Sequence, residues 1–324
     1  MTGGLRRTDR QYAGRSTVRS GRRFEQRRHR RPSDPATSTP YTVTLFENQQ
    51  FADFNSKPFD FEPPAQCPGP WQKVVLSADY SVTMGRQFDR TAQIWLGGAI
   101  IYFGTTQEPQ ATVAPSWHIE RDLTDYSALF ADAHNGQATL GNFVGTSDGV
   151  DYTGIIYGTA TLSFYPGVPT VSDHPRRPDV LLPLSASADG STADLSSSDQ
   201  QLAVTFDSLP TNIERVFLDV YAQSQASDEF RYTCVPDDLS GALFSCGGTA
   251  FREGEVFVDD QPAGVAPIYP WVYTGGIDPF LWRPIPGVQT RRQRLPGGNN
   301  RLYWWDGFHN FGSSVAGDTV QLLP

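Results

Sequence analysis

The chain has 324 residues, 38% hydrophobic and 12% aromatic, enough for two ordinary domains with real cores. Its net charge of −9 is uneven, because residues 1–32 hold eleven Arg against Asp9 and Glu25, a net +9, and the rest carries −18. An acidic globular part repels phosphate, which argues against a nucleic-acid partner, and no apolar run approaches the ~20 residues of a membrane helix.

In chain order, residues 1–40 are rich in Arg and Ser, nearly devoid of apolar residues, and close in a Pro-rich run. Such a segment cannot bury enough surface to fold and is predicted to be disordered. It lacks the apolar core of a secretory leader. A basic tail, an organelle presequence and a misplaced start that has replaced a leader all remain open, and the last is preferred for a reason given below.

Strands are predicted from Tyr41 onward, at 41–46, Lys73–Val82, Gln93–Leu96, Ala99–Phe103, Ser116–Leu123, Thr139–Val144 and Ile155–Tyr165. In the last of these Ile156, Ala160, Leu162 and Phe164 share one face, the period of a half-buried strand. Gly97-Gly98 between two strands is a hairpin signal. Asp125–Phe130 reads as a short helical turn. Many short strands separated by turns imply an all-β sandwich or jelly roll.

Residues 167–178 read as a Pro-rich linker after a first domain at 41–166. Strand pattern resumes at Val180–Leu184, and 214–223 is the cleanest strand of a second domain at 179–290, with Val216, Leu218, Val220 and Ala222 on one face. An aromatic-rich loop follows at 273–284. The three cysteines, Cys67, Cys234 and Cys246, are too few for a disulfide framework and lack metal-ligand spacing. A bond between Cys234 and Cys246 and a free thiol at each are both open. No zinc or phosphate-loop motif is present, so neither metal nor cofactor is expected.

The stretch Gly85–Leu96 carries the chemistry. Phe88, Asp89 and Arg90 stand in succession at the mouth of a strand in which Ala92, Ile94 and Leu96 alternate with Thr91, Gln93 and Trp95. An acid beside a guanidinium is expected to stay ionised with a lowered pKa. Such an acid can hold and activate a water, or serve only as a structural ion pair. For Glu120-Arg121-Asp122 and Asp125 the preferred reading is a salt-bridged strand end and a helix cap. His118 reads as structural.

Taken together, Cys67-Pro68-Gly69-Pro70-Trp71, Phe88-Asp89-Arg90, Glu120–Ser127, Thr159–Pro166, Glu214–Tyr221, Asp228-Glu229-Phe230 and Tyr273–Gly287 resemble the peptide-(N-acetyl-β-glucosaminyl)asparagine amidase A family, the acidic glycoamidases of plants and fungi. The likeness runs from about Tyr41 to Gln289. It implies two jelly-roll β-sandwich domains side by side and hydrolysis of the amide between Asn and the first N-acetylglucosamine of an N-glycan, with an N-glycosylated peptide or protein as substrate. A more distant likeness, to the bacterial glycoamidase of two jelly rolls, places a catalytic aspartate on Asp89 and a second functional glutamate on Glu229. A third carboxylate of that enzyme has no clear match, since the stretch reads Gly141-Asn142-Phe143-Val144. Arg90 and Asp228 are the implied supporting residues, and Tyr232, Trp271, Trp282 and Arg283 the candidates to contact sugar. Each aromatic has core packing as its competing reading, favoured somewhat for Trp271.

The family is secreted or vacuolar, which is why a misplaced start is the preferred origin of residues 1–40. No Asn-x-Ser/Thr site is present either. After Thr290 the text turns to Arg- and Gly-rich sequence with little alternation, so residues 291–324 are expected to be an atypical tail, as from a frame slip or mis-spliced exon. The second jelly roll is therefore expected to be incomplete, with part of the Val216/Leu218/Val220 stripe exposed. The alternative to a glycoamidase is a non-catalytic carbohydrate-binding jelly-roll protein.

Overall fold

The computed structural model describes residues 38–167, 177–185, 187–197, 200–206, 209–213, 216–258, 261–268, 293–294, 301–306 and 313–316. The expected disorder of 1–40 for the most part, and the linker for the most part, lie outside those residues. So do Trp271, Trp282 and Arg283.

The first half is built from ten strands: β1 (Tyr41–Phe51), β2 (Lys57–Phe61), β3 (Trp71–Val82), β4 (Thr91–Leu96), β5 (Ala99–Thr105), β6 (Ser116–Asp122), β7 (His134–Thr139), β8 (Gly145–Ser147), β9 (Val150–Tyr152) and β10 (Ile156–Pro166). One antiparallel sheet has the order β1-β10-β3-β6 and a second β2-β7-β4-β5, while β8 and β9 form a separate hairpin. The faces turned toward each other supply one core. Leu76, Ile94, Leu96, Leu162 and Phe164 are fully buried in it, as the alternation in β10 predicts. The β4–β5 turn holds Gly97 and Gly98 at φ +54° and +80°, both in the region that glycine reaches without steric cost.

Two expectations are corrected here. The strand expected at 139–144 lies earlier, as β7, whose sequence has no apolar alternation but which is held between β2 and β4. Between the strands expected at 41–46 and Lys73–Val82, where none was predicted, lies the edge strand β2, and an edge tolerates Pro58 because one side of the strand needs no ladder donor.

The other face of the second sheet is buried too. Trp95, Ile100 and Phe103 form a small cluster with Tyr221 of the second half. The segment at 187–190 lies against Trp95, and a Cβ on Gly190 would come within 2.4 Å of the indole, so only glycine fits that approach.

The second half holds β11 (Ala193–Leu195), β12 (Gln201–Thr205), β13 (Phe217–Leu218), β14 (Tyr221–Ser224), a seven-residue helix α1 (Asp237–Leu243), β15 (Glu253–Val258), β16 (Gln261–Pro267), β17 (Gln293–Arg294), β18 (Arg301–Asp306) and β19 (Ser313–Ala316). The single strand expected at 214–223 is two short pieces, β13 and β14. Val180–Leu184 forms no strand. The expected strandless tail supplies β18, between β12 and β15, and β19, between β11 and β14. Cross-strand partners, rather than local alternation, decide strand formation there. The stripe expected to be exposed is covered: Leu218 and Val220 are buried among Leu202, Val256 and Ile268. Among the described residues no helix is long and apolar enough to cross a membrane.

Candidate functional site

Asp89 sits on the turn between β3 and β4. Backbone bonds pin that turn at both ends: Thr153 N–H donates to the Arg86 carbonyl, and Thr106 N–H to the Arg90 carbonyl. Arg90 N–H in turn donates to Thr106 Oγ1 at 2.8 Å. Phe88 packs on Tyr152 of β9 with ring centroids 5.4 Å apart. The buried Gln87 side chain lies beneath the turn and reaches Arg90, Phe143 and Gly154.

Glu229 comes from the second half, just after a 3-10 turn at Ala226–Asp228. That turn is held from below. Asp228, itself buried, accepts from the Arg252 guanidinium at 2.7 and 3.2 Å. Arg252 also donates to the carbonyls of Thr249 and Phe251. The same region is closed by a Cys234–Cys246 disulfide, which settles the question the sequence left open, while Cys67 is a free buried thiol. Arg231, wholly buried, donates to Ser224 Oγ and the Ile268 carbonyl.

The halves meet beside these two acids. Thr91 Oγ1 donates to Gln223 Oε1 at 3.1 Å, and Tyr126 Oη to Asp219 Oδ2 at 2.8 Å. The Arg121 guanidinium bonds the Ile101 carbonyl, Tyr126 and, across the junction, Tyr221. The expected salt-bridged strand end is corrected for Arg121, which is drawn to the carbonyl and phenol oxygens around it, whereas Glu120 lies 3.5 Å from His118 Nε2 on the same strand. The cap acceptor of the turn after β6 is Asp122, which takes the Thr124 N–H at 2.9 Å, not Asp125. His118 Nδ1 lies 2.8 Å from Asp79 Oδ1, on the outer side of the other sheet.

The electrostatics of Asp89 reverse the sequence expectation. Its carboxyl is pushed up from 3.8 to about 6 by burial first, then by the charges of Glu108 and Glu229, and the opposing pull of Arg90 is the smallest influence. Burial likewise pushes Glu229 up. The Arg90 guanidinium is itself held down by burial. It lies over the Phe88 ring at 5.5 Å and bonds Gln87 Oε1. Glu108 and Gln87 are the groups that sequence reasoning missed. Glu108 stands in the loop after β5 and no local pattern marks it. Tyr232 is half-buried, edge-on to an exposed Phe230 at 6.0 Å. Among the described residues no three His, Cys, Asp or Glu side chains gather as metal ligands would.

A chain built mostly of antiparallel strands, with a half-buried acid raised to about 6 on which the charges of two other acids act, defines a protein with candidate acid–base machinery and no metal-binding cluster among its described residues. The chain belongs to the peptide N-acetyl-beta-D-glucosaminyl asparaginase amidase A family, whose model matches residues 30–293. It is 29% identical over 249 residues to the peptide-N4-(N-acetyl-beta-glucosaminyl)asparagine amidase A of Prunus dulcis, covering 71% of this chain and 42% of that relative, so the chain spans less than half of the relative's length. Among solved structures, the glycosylasparaginase PNGase F of Flavobacterium meningosepticum aligns with 14% identity and a TM-score of 0.47, covering 88% of this chain and 98% of that one. A recombinant peptide:N-glycanase F aligns with 13% identity and a TM-score of 0.46, covering 88% and 97%.

Proposed function

We propose that this protein is a glycoamidase that hydrolyses the amide between an Asn side chain and the first N-acetylglucosamine of an N-glycan on a peptide or protein. Family membership supports the reaction class. The observation that carries it is the setting of Asp89, raised to about 6 by burial first and then by the charges of Glu108 and of Glu229 from the second half. A carboxylate of that basicity takes a proton from water more readily than an ordinary one, and in weakly acidic solution it is still partly ionised. Water adds to the amide carbonyl carbon as Asp89 accepts its proton. The carbon–nitrogen bond then breaks, a proton passes to the departing glycosylamine, and the peptide keeps an aspartate. Glu229, raised by burial, is the candidate proton donor or oxyanion partner. Glu108, whose charge acts on Asp89, is a further candidate acid, with Arg90 and Asp228 as the candidate supporting residues. Tyr232, Trp271, Trp282 and Arg283 remain the proposed sugar contacts.

We further read each half as a jelly roll, side by side. For the first half the orders β1-β10-β3-β6 and β2-β7-β4-β5 support this, since they interleave the chain as two Greek keys do. The Cys234–Cys246 bond supports a secreted or vacuolar setting, where disulfides persist. The −18 carried outside residues 1–32 speaks for a glycan-bearing substrate rather than nucleic acid.

The test is incubation of the purified chain with an N-glycopeptide in heavy-oxygen water. Release of the glycan with one heavy oxygen in a new aspartate is expected. Glycan binding without release would instead favour the non-catalytic carbohydrate-binding reading.

A further inference from the structure

The side chain of Gln87 is 1% exposed, yet it is fully engaged. A primary amide offers two N–H donors and two acceptor lone pairs. Gln87 Nε2 donates to the Phe143 carbonyl at 2.7 Å and the Gly154 carbonyl at 3.2 Å. Gln87 Oε1 accepts from Phe88 N–H at 3.0 Å and Arg90 Nη2 at 2.7 Å. Every site is used, and turning the amide over would set donor against donor and acceptor against acceptor. The orientation is therefore fixed by its surroundings.

The partner that matters is Arg90. A guanidinium one residue from a half-buried carboxylate has every electrostatic reason to close on it. Here it does not: among the described residues no salt bridge joins Arg90 to Asp89. Its Nη2 is held by the neutral Gln87 oxygen, its plane lies over Phe88, and its buried Nε has no partner. Leaving a buried N–H unpaired is costly, so something must hold the guanidinium where it is.

We propose that Gln87 is a positioning residue that tethers the Arg90 guanidinium away from the Asp89 carboxylate, leaving that carboxylate open to a water. The inference deepens the glycoamidase reading and rests on it for the role of the water, but the tether itself is a statement about charge placement. The other charged and titratable groups around the pair are Glu108 after β5, Glu229 of the second half and Tyr152 of β9, and Arg86 lies over the Tyr152 ring. Glu108 and Glu229 are acids whose pairing with Arg90 would change the field at Asp89, and it is Gln87 Oε1, not the Tyr152 phenol, that accepts from the guanidinium.

The experiment follows the carboxyl carbon of Asp89 by NMR through a pH titration of the full chain, with the signal assigned by Asp89→Asn. Gln87→Met removes the acceptor and keeps the bulk. The Arg90 guanidinium is then free to pair with Asp89, and the Asp89 midpoint is expected to fall by about 1–3 units, as a new opposite charge in contact does. Gln87→Glu keeps an acceptor for Arg90, and its Asp89 midpoint is expected not to fall. Glycan release, where it is observed, should lose its dependence on a group near pH 6 in the Met variant only. An unchanged midpoint in folded Gln87→Met, or equal shifts in both variants, would overturn the tether. If Gln87→Met does not fold, Arg90→Met decides the matter: with Gln87 holding the cation aside, its removal should scarcely move Asp89, and a large rise would show direct pairing and refute the proposal. Absence of glycan release with the expected NMR shifts would sink the glycoamidase reading and leave the tether standing.

Discussion

The two halves hold their acids by different means. Asp89 hangs from a sandwich of two four-stranded sheets whose residues Leu76, Ile94, Leu162 and Phe164 are wholly buried, and the turn that carries it is bonded to the loops on either side. Glu229 follows a short 3-10 turn beyond a four-residue strand, and what fixes that turn is a set of local clamps: the Asp228–Arg252 pair, the buried Arg231 and the Cys234–Cys246 bond. A sheet framework distributes the work of positioning over many contacts. A clamped turn concentrates it in a few. The first half should therefore resist single substitutions that the second half does not.

The largest effect expected is at Asp89. Asp89→Asn keeps the shape and removes the base, and glycan release should fall by about 10²–10⁴-fold, the usual contribution of a general base. The same variant reports on the fold through pH. The folded carboxyl titrates near 6 and its ordinary value is 3.8, so below 3.8 both states are protonated and the position contributes nothing. Between the two the unfolded chain gives up a proton that the folded chain keeps, so the position increasingly disfavours the fold as pH rises from 3.8 to about 6, and above that the cost stays constant. Asp89→Asn should thus raise the melting temperature more at pH 7 than at pH 4. An equal effect at both pH values would mean that Asp89 is not in the acidic, half-buried setting described.

Next is the clamp. Arg252→Met leaves Asp228 buried without its cation, which costs about 3–5 kcal/mol. Limited proteolysis should then open the second half while residues 38–167 stay protected. Parallel loss of protection in both halves would erase the contrast between them. Somewhat smaller is the disulfide. Replacing both Cys234 and Cys246 by Ser frees a short loop, and the chain-entropy estimate is about 3 kcal/mol, read from the denaturant midpoint. Little change would show that Arg252 and Arg231 hold the region without it.

How legible this was in the sequence follows the same division. β3, β4, β5, β6 and β10 were readable because one face of each meets a single core, so apolar residues recur with period two, as Ile156, Ala160, Leu162 and Phe164 do. β7 was not, because His134–Thr139 owes its state to neighbours on both sides. In the second half local alternation at 214–223 marked the buried side but not the break at Asp219-Val220, and β18 and β19 had no local signal at all. Asp89 stood out by its local pattern, but Glu229 was found only through resemblance. Their electrostatics were out of reach, because Glu108 and Glu229 approach Asp89 only through the fold, and the sequence neighbour Arg90 misled.

The smallest effect expected is at the junction, and it separates alignment from stability. Thr91 opens the strand that follows Asp89, and its hydroxyl donates to Gln223, a fully buried residue on the strand that leads to Glu229. Thr91→Val keeps the β-branched shape and deletes the donor, so the loss of stability should be only about 1 kcal/mol. The consequence for rate should be larger in proportion. Chemistry shared between two halves depends on their relative placement, and a shift of about an ångström can cost ~100-fold. Thr91→Ser restores the hydroxyl and should recover most of the rate, which loss of packing alone would not allow. Thr42→Val, a matching change on the exposed edge strand β1, should alter neither quantity. Glycan release from Thr91→Val at the wild-type rate would show that the halves are aligned without this bond, and would move the burden to the Arg121–Tyr221 and Tyr126–Asp219 contacts across the same junction.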